Sequence, residues 1–205
     1  MIFNLYGIFM SDSYLSNRNS IRQKMRSLRN SINAKQQQKI TKLLIKKLVS
    51  YLPIIQAKKI AIFLSIDGEP NTKPLIKVLL EENKQIFLPV IKSYVENDLI
   101  FINYTPKTPL ILNTFGILEP IINKDNILNL SDLDVMLVPL VAFDRKGQRL
   151  GMGRGYYDRT LQNWQKYNFL PIGIAHDFQL VEKLPTAKWD IPLPIIITPS
   201  HIWQW

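Results

Sequence analysis

The chain contains no cysteine. That absence excludes a disulfide framework, a thiolate nucleophile and any cysteine-ligated metal, and it suits a reducing cytoplasm. Histidine is almost as scarce. His176 and His201 are the only two, too few for a histidine metal cluster and leaving little room for a serine–histidine pair. No stretch approaches the roughly twenty apolar residues that a membrane helix needs. The apolar start, Met1 to Met10, has no basic n-region and no small-residue cleavage site, so residues 1–15 are expected to form a loose extension and not a signal peptide.

Acids are also under-represented: 16 against 26 basic residues, for a net charge of +10. Such a balance suits nucleic acid, an anionic surface or small anionic substrates. Lysine, isoleucine and asparagine are abundant throughout, and the basic run from Lys35 to Lys47 is spread through a helical pattern, which reads as a solvated face. Neither a joint basic and aromatic face nor an RNP-like strand pair is present, so no nucleic-acid partner is expected. At 205 residues the chain is long enough for a sizeable core, and residues 16–205 are expected to form one domain.

Glycine is scarce too, with 8 in the chain, yet three fall within five residues: Gly151, Gly153 and Gly155. They belong to Arg149-Leu-Gly-Met-Gly-Arg-Gly-Tyr-Tyr-Asp158. Glycine lets backbone approach a ligand and adopt positive φ, while Arg149 and Arg154 offer planar forks suited to phosphate or carboxylate. The loop follows the apolar run Val135–Phe143, read as a buried strand, and leads into a helical pattern from Tyr156 to about Trp164. Strand, glycine loop and helix start together make an anion site. Asp158, in the first turn, suits a divalent cation beside phosphates. The spacing matches neither G-x-G-x-x-G nor a P-loop.

Two amphipathic helices are expected near the N-terminus, over Leu15–Asn30 and Ala34–Leu52, the second ended by Pro53. Apolar runs at Ile60–Leu64, Gln85–Val90, Leu99–Tyr104, Val135–Phe143, Leu170–His176 and Pro194–Thr198 read as strands. A helix capped by Asn71 is expected to run to about Glu82, and residues Thr105–Asp134 to be mostly loop. Buried strands separated by helices imply an α/β fold of three αβα layers around a largely parallel sheet. Ligands bind beyond the carboxyl ends of such strands. Ser65-Ile-Asp-Gly-Glu69, the Arg149 loop and His176-Asp177 all fall there.

In order, these motifs resemble those of the 5-formyltetrahydrofolate cyclo-ligase family. The likeness rests on Ile62–Ser65 with Glu69, on Phe115-Gly-Ile-Leu-Glu-Pro120, on Leu137–Asp144 followed by Arg149–Asp158, and on Trp189-Asp-Ile-Pro-Leu-Pro194 with Thr198. The resemblance implies an ATP- and magnesium-dependent ligase that converts 5-formyltetrahydrofolate to 5,10-methenyltetrahydrofolate, releasing ADP and phosphate. It implies that Arg149, Leu150, Gly151, Met152, Gly153, Arg154, Gly155, Tyr156 and Tyr157 contact ATP. Arg149 and Arg154 would be catalytic, with Arg154 nearest the transferred phosphoryl group. Asp158 and Asp190 would hold magnesium, and Leu64 and Glu69 would touch the folate, polyglutamylated or not. The family's N-terminal Lys-x-x-Leu-Arg segment is similar to Arg18-Asn19-Ser20-Ile21-Arg22, with Arg22–Arg26 as a second register. A cytoplasmic monomer is expected. The rival functions are an inactive folate- or nucleotide-binding module of the same fold and a basic nucleic-acid binder.

Overall fold

The computed structural model describes residues 12–93 and 98–205. Helix α1 (Asp12–Asn30) takes in the last residues of the expected N-terminal extension; residues 1–11 lie outside the described residues. Helix α2 (Ala34–Val49) starts at a capping box, in which Asn33 Oδ1 accepts from Gln36 N at 2.9 Å and Gln36 Oε1 from Asn33 N at 3.0 Å. Pro53 does not end α2. It sits in the first turn of the short helix α3 (Leu52–Gln56), where its missing N–H costs nothing. Strand β1 (Lys59–Ala61) follows, then helix α4 (Lys73–Glu81). Thr72, not Asn71, is the residue at the α4 cap, although Asn71 Oδ1 accepts from Lys73 N. Strands β2 (Gln85–Ser93) and β3 (Asp98–Tyr104) come next.

The segment expected to be loop contains a hairpin of β4 (Leu110–Leu112) and β5 (Leu118–Pro120) and two single 3-10 turns. The run Val135–Phe143 is not one strand. It divides into β6 (Val135–Pro139) and β7 (Ala142–Asp144), which belong to different sheets. The carbonyls of Leu140 and Val141, freed at the break, accept from the buried Gln179 side chain at 2.7 and 2.8 Å. A short strand β8 (Arg149–Leu150) leads to the glycine loop, and the helix after it divides into α5 (Tyr156–Leu161) and α6 (Trp164–Tyr167). The rest are β9 (Leu170–Ile174), β10 (Leu180–Val181), β11 (Ile195–Ile197) and β12 (Ile202–Gln204).

Seven strands form the central sheet in the order β12-β11-β9-β6-β1-β2-β3. The five inner strands are parallel, and both edge strands pair antiparallel. Period-2 alternation sends side chains to two cores. Ile60, Ile86, Leu88, Val135, Leu137, Ile195 and Ile197 join Leu44 and Leu48 of α2, Ile54 of α3, and Leu75 and Leu79 of α4 on one face. Ala61, Phe87, Met136, Val138 and Ile196 join Leu161 of α5 and Phe169 on the other. With both faces covered, the inner strands read as continuous apolar runs. A separate small sheet, β10-β7-β8, packs Val141, Ala142 and Leu150 against Met25 of α1. That contact lays α1 beside the glycine loop. Among the described residues, no helix is long and apolar enough to cross a membrane.

Candidate active site

The glycine loop is built outward from a buried carboxylate. Asp144 Oδ1 accepts from the backbone of Lys146 and Gln148, and its Oδ2 from Leu184 N at 3.1 Å. These bonds close the β7–β8 hairpin and aim residues 151–155 outward. Gly153 and Gly155 have φ of +104° and +76°, which side chains rarely tolerate. Arg149 is 2% exposed and pairs with Asp158 across the loop. Asp158 Oδ1 also faces Ile191 N at 3.5 Å, the residue after Asp190. The two expected metal ligands therefore lie on adjoining stretches of chain.

From α1, Arg18 grips Asp190 with both terminal nitrogens, at 2.5 and 2.9 Å, and also donates to Pro185 O. Arg22 Nε donates to Gly151 O at 2.9 Å, and its Nη1 to Asn19 Oδ1 at 2.7 Å. Arg26 instead pairs with Asp67. The register Arg18–Arg22 is thus the one that reaches the glycine loop. Not every member of that segment points there. Ile21 and Leu150 pack in the small apolar cluster under α1, and Ser20 is exposed. In the loop itself, Met152 and Arg154 are exposed, and the Arg154 guanidinium lies 4.8 Å above the Phe115 ring. Phe115 is held at the tip of the β4–β5 hairpin because Asn113 Oδ1 accepts from both Phe115 N and Ile117 N.

The other wall is the turn after β1. Ser65 Oγ donates to Pro70 O at 2.6 Å and accepts from Thr72 N, while Thr72 Oγ1 donates to Phe63 O. These bonds close residues 63–72 into a loop carrying Leu64, half-buried against the main core, and Glu69, 7% exposed. Inside it, Glu69 N donates to Ile66 O, with Asp67 and Gly68 both at positive φ. A Cβ on Gly68 would lie 2.7 Å from the Arg29 backbone, so the turn is pressed directly onto α1.

Burial pushes the Glu69 carboxyl up to about 7. The Arg29 guanidinium, fully buried, lies 3.6 Å from Glu69 but 2.5 Å from Asp67. It serves Asp67 first, so desolvation prevails at Glu69. The Tyr157 phenol is raised by burial and by the Glu69 charge, against the pull of Arg149. Tyr157 thus lies within the field of both Glu69 and Arg149. A separate cavity of about 420 Å³, lined by Asn103, Thr105, Thr108 and Asn126 among others, lies at the opposite end of the sheet, where the carboxyl end of β3 meets the start of β2.

Both expected metal ligands are hard oxygen donors. Asp158 Oδ2 has no hydrogen bond among the described residues, whereas both Asp190 oxygens are engaged by Arg18, and one also by Ala187 N. Among the described residues no group of three or more acidic or histidine side chains is placed to hold a metal. A pair of carboxylates completed by substrate phosphates is the usual setting for magnesium; Asp158 Oδ2 is available for that role, whereas Asp190 would first have to be released by Arg18.

Sequence reasoning missed the supports of the Glu69 turn. Asp67 is bound by Arg26, Arg29 and Asn30. The Glu69 carbonyl accepts from Gln37 Nε2 at 2.7 Å, and the Gly68 carbonyl faces His176 Nε2 at 2.9 Å. Phe115 opens the segment Phe115–Pro120, but nothing in its spacing points to Arg154.

Comparison with known proteins identifies the family. Residues 15–199 match the 5-formyltetrahydrofolate cyclo-ligase family. The chain is 48% identical to the 5-formyltetrahydrofolate cyclo-ligase of Escherichia coli (strain K12) over 181 residues, 88% of this chain and all of that one. It is 47% identical to the Haemophilus influenzae protein of the same name, over 86% of this chain and 94% of the relative. Among solved structures, 5,10-methenyltetrahydrofolate synthetase from Aquifex aeolicus superposes with a TM-score of 0.79 at 31% identity, covering 91% of this chain and 92% of that one. The synthetase from Mycoplasma pneumoniae gives a TM-score of 0.72 at 26% identity, over 89% and 99%.

Proposed function

The chain belongs to the 5-formyltetrahydrofolate cyclo-ligase family, and from that premise we propose that it converts 5-formyltetrahydrofolate and ATP to 5,10-methenyltetrahydrofolate, ADP and phosphate. The observation that supports this most is that side chains of α1 reach the Asp190 segment, the glycine loop and the Glu69 turn, framing one cleft. Such a cleft offers cations and close backbone to a triphosphate on one side, and a buried carboxyl to a heterocycle with N–H groups on the other.

The reaction proceeds in two steps. The formyl oxygen attacks the γ-phosphorus, ADP leaves, and the formyl group becomes an iminium-like phosphate ester. N10 then attacks the activated carbon and gives up its proton to the departing phosphate, the C–O bond breaks, and phosphate leaves. Neither step needs a nucleophile from the protein. Phosphoryl transfer rests on positioning and on charge stabilisation. Arg149 and Arg18 are charge-balanced by Asp158 and Asp190. The arriving phosphates take up those arginines and leave the two carboxylates for a cation. Arg154, exposed over Phe115, turns to the transferring phosphoryl group. Magnesium, held by Asp158 and Asp190, would neutralise charge on the phosphate oxygens. Glu69, with Leu64 beside it, accepts hydrogen bonds from the pterin and fixes the formyl group toward ATP.

The test is an absorbance assay for the methenyl product with ATP, magnesium and 5-formyltetrahydrofolate. ATP-dependent product supports the reading. Binding of both ligands without product would make the chain an inactive binding module.

A further inference from the structure

We propose that His176 is a positioning residue, whose Nε2–H holds the Gly68 carbonyl and so fixes the turn that presents Glu69 to the substrate; this rests on Glu69 being a substrate contact. His176 lies just past the carboxyl end of β9, 108 residues from Gly68, and is 1% exposed. A carbonyl can only accept, so the 2.9 Å contact requires the proton on Nε2. Nδ1 is then an acceptor, buried and without a hydrogen bond. Burial lowers the imidazole's pKa and the neighbouring Arg29 charge acts in the same direction, outweighing the Gly68 hydrogen bond and the Asp177 charge, so the balance favours the neutral ring.

The ring cannot drift. It stacks on Phe178 at 5.1 Å with 9° between planes, and His176 N donates to Gln179 Oε1 at 2.7 Å. Gln179 is itself fully buried and anchored on Leu140 O and Val141 O. A rigid line therefore runs from the break between the two sheets, through Gln179 and His176, to the Gly68 carbonyl. The turn is tight, with Asp67 at φ +50° and Gly68 at φ +70° in succession, and it is held from three directions. Asp67 is tied to α1, the Glu69 carbonyl to Gln37 of α2, and the Gly68 carbonyl to His176. Of the three ties, only His176 reaches the turn from the sheet.

Two isosteric substitutions separate this role from general packing. A Gln side chain carries its amide nitrogen the same number of bonds from Cβ as His Nε2. Asn reaches only as far as Nδ1. His176→Gln is expected to leave KM for 5-formyltetrahydrofolate within about twofold, whereas His176→Asn raises it about tenfold, with KM for ATP and kcat nearly unchanged. Equal folate KM values in the two variants, or a parallel rise in KM for ATP, would overturn the proposal. The wild-type protein supplies a readout that needs no variant. Imidazole nitrogen NMR shifts should show a neutral ring protonated on Nε2 at about pH 8, and a midpoint below the ordinary histidine value. A ring protonated on Nδ1, or one titrating at the ordinary histidine value, would overturn it as well. A wild-type protein with no turnover would refute the proposed reaction, and the imidazole spectrum would still decide the His176–Gly68 bond.

Discussion

Glu69 is an acid kept where charge is costly. Its carboxyl is raised from 4.5 to about 7 chiefly by burial. A raised acid binds its proton more tightly in the folded state, so stability falls as pH rises from about 4.5 to 7 and is level above that. Glu69→Gln removes this loss. The variant should match the wild type near pH 4 and exceed it above pH 7, by of order 3 kcal/mol, measured by urea unfolding across pH. An unchanged pH profile would show that the carboxyl is not the source. The same substitution should raise KM for 5-formyltetrahydrofolate about tenfold or more while KM for ATP holds; the reverse pattern would mean that the two halves of the cleft are exchanged. Arg154, exposed and resting on Phe115, makes no fold-defining contact of that kind. Arg154→Ala should lower kcat by about 10²-fold with an unchanged melting temperature, and near-normal turnover would remove it from the reaction. At this scale the sequence was legible where chemistry is local. The Arg149–Asp158 loop shows its glycines, arginines and acid in ten residues. The Arg29–Asp67 pair and the His176–Gly68 bond were not legible, because their partners stand 38 and 108 residues apart and no periodicity links them.

Elements with apolar runs on a doubly covered sheet were the ones visible in the sequence, as with Gln85–Val90 and Leu99–Tyr104. The division of Val135–Phe143 was not, since β6 and β7 are equally buried and only their sheet partners differ. The β4–β5 hairpin was hidden by exposed positions such as Leu112, which carry no alternating pattern. Gln179 marks the division physically: one buried amide satisfies two carbonyls of the connecting residues. Gln179→Leu keeps the volume but leaves both acceptors without that donor. It should destabilise the fold by about 1–3 kcal/mol, read as a lower urea midpoint at unchanged m. A midpoint equal to that of the wild type would show that the connection is held by other means.

Across the whole molecule, two sheets divide the labour. The seven-stranded sheet carries Glu69 beyond β1 and His176 beyond β9, while the small sheet carries the glycine loop and receives α1 with Arg18 and Arg22. The cleft between them is where ATP and folate would meet, and coupling of the two is the central claim. It is tested most directly by following methenyl product and ADP together in one reaction mixture. Product and ADP should appear one for one, only when both substrates are present, cease with a chelator and resume with magnesium. ADP release that does not require 5-formyltetrahydrofolate, or no product from a folded protein that binds both ligands, would contradict it.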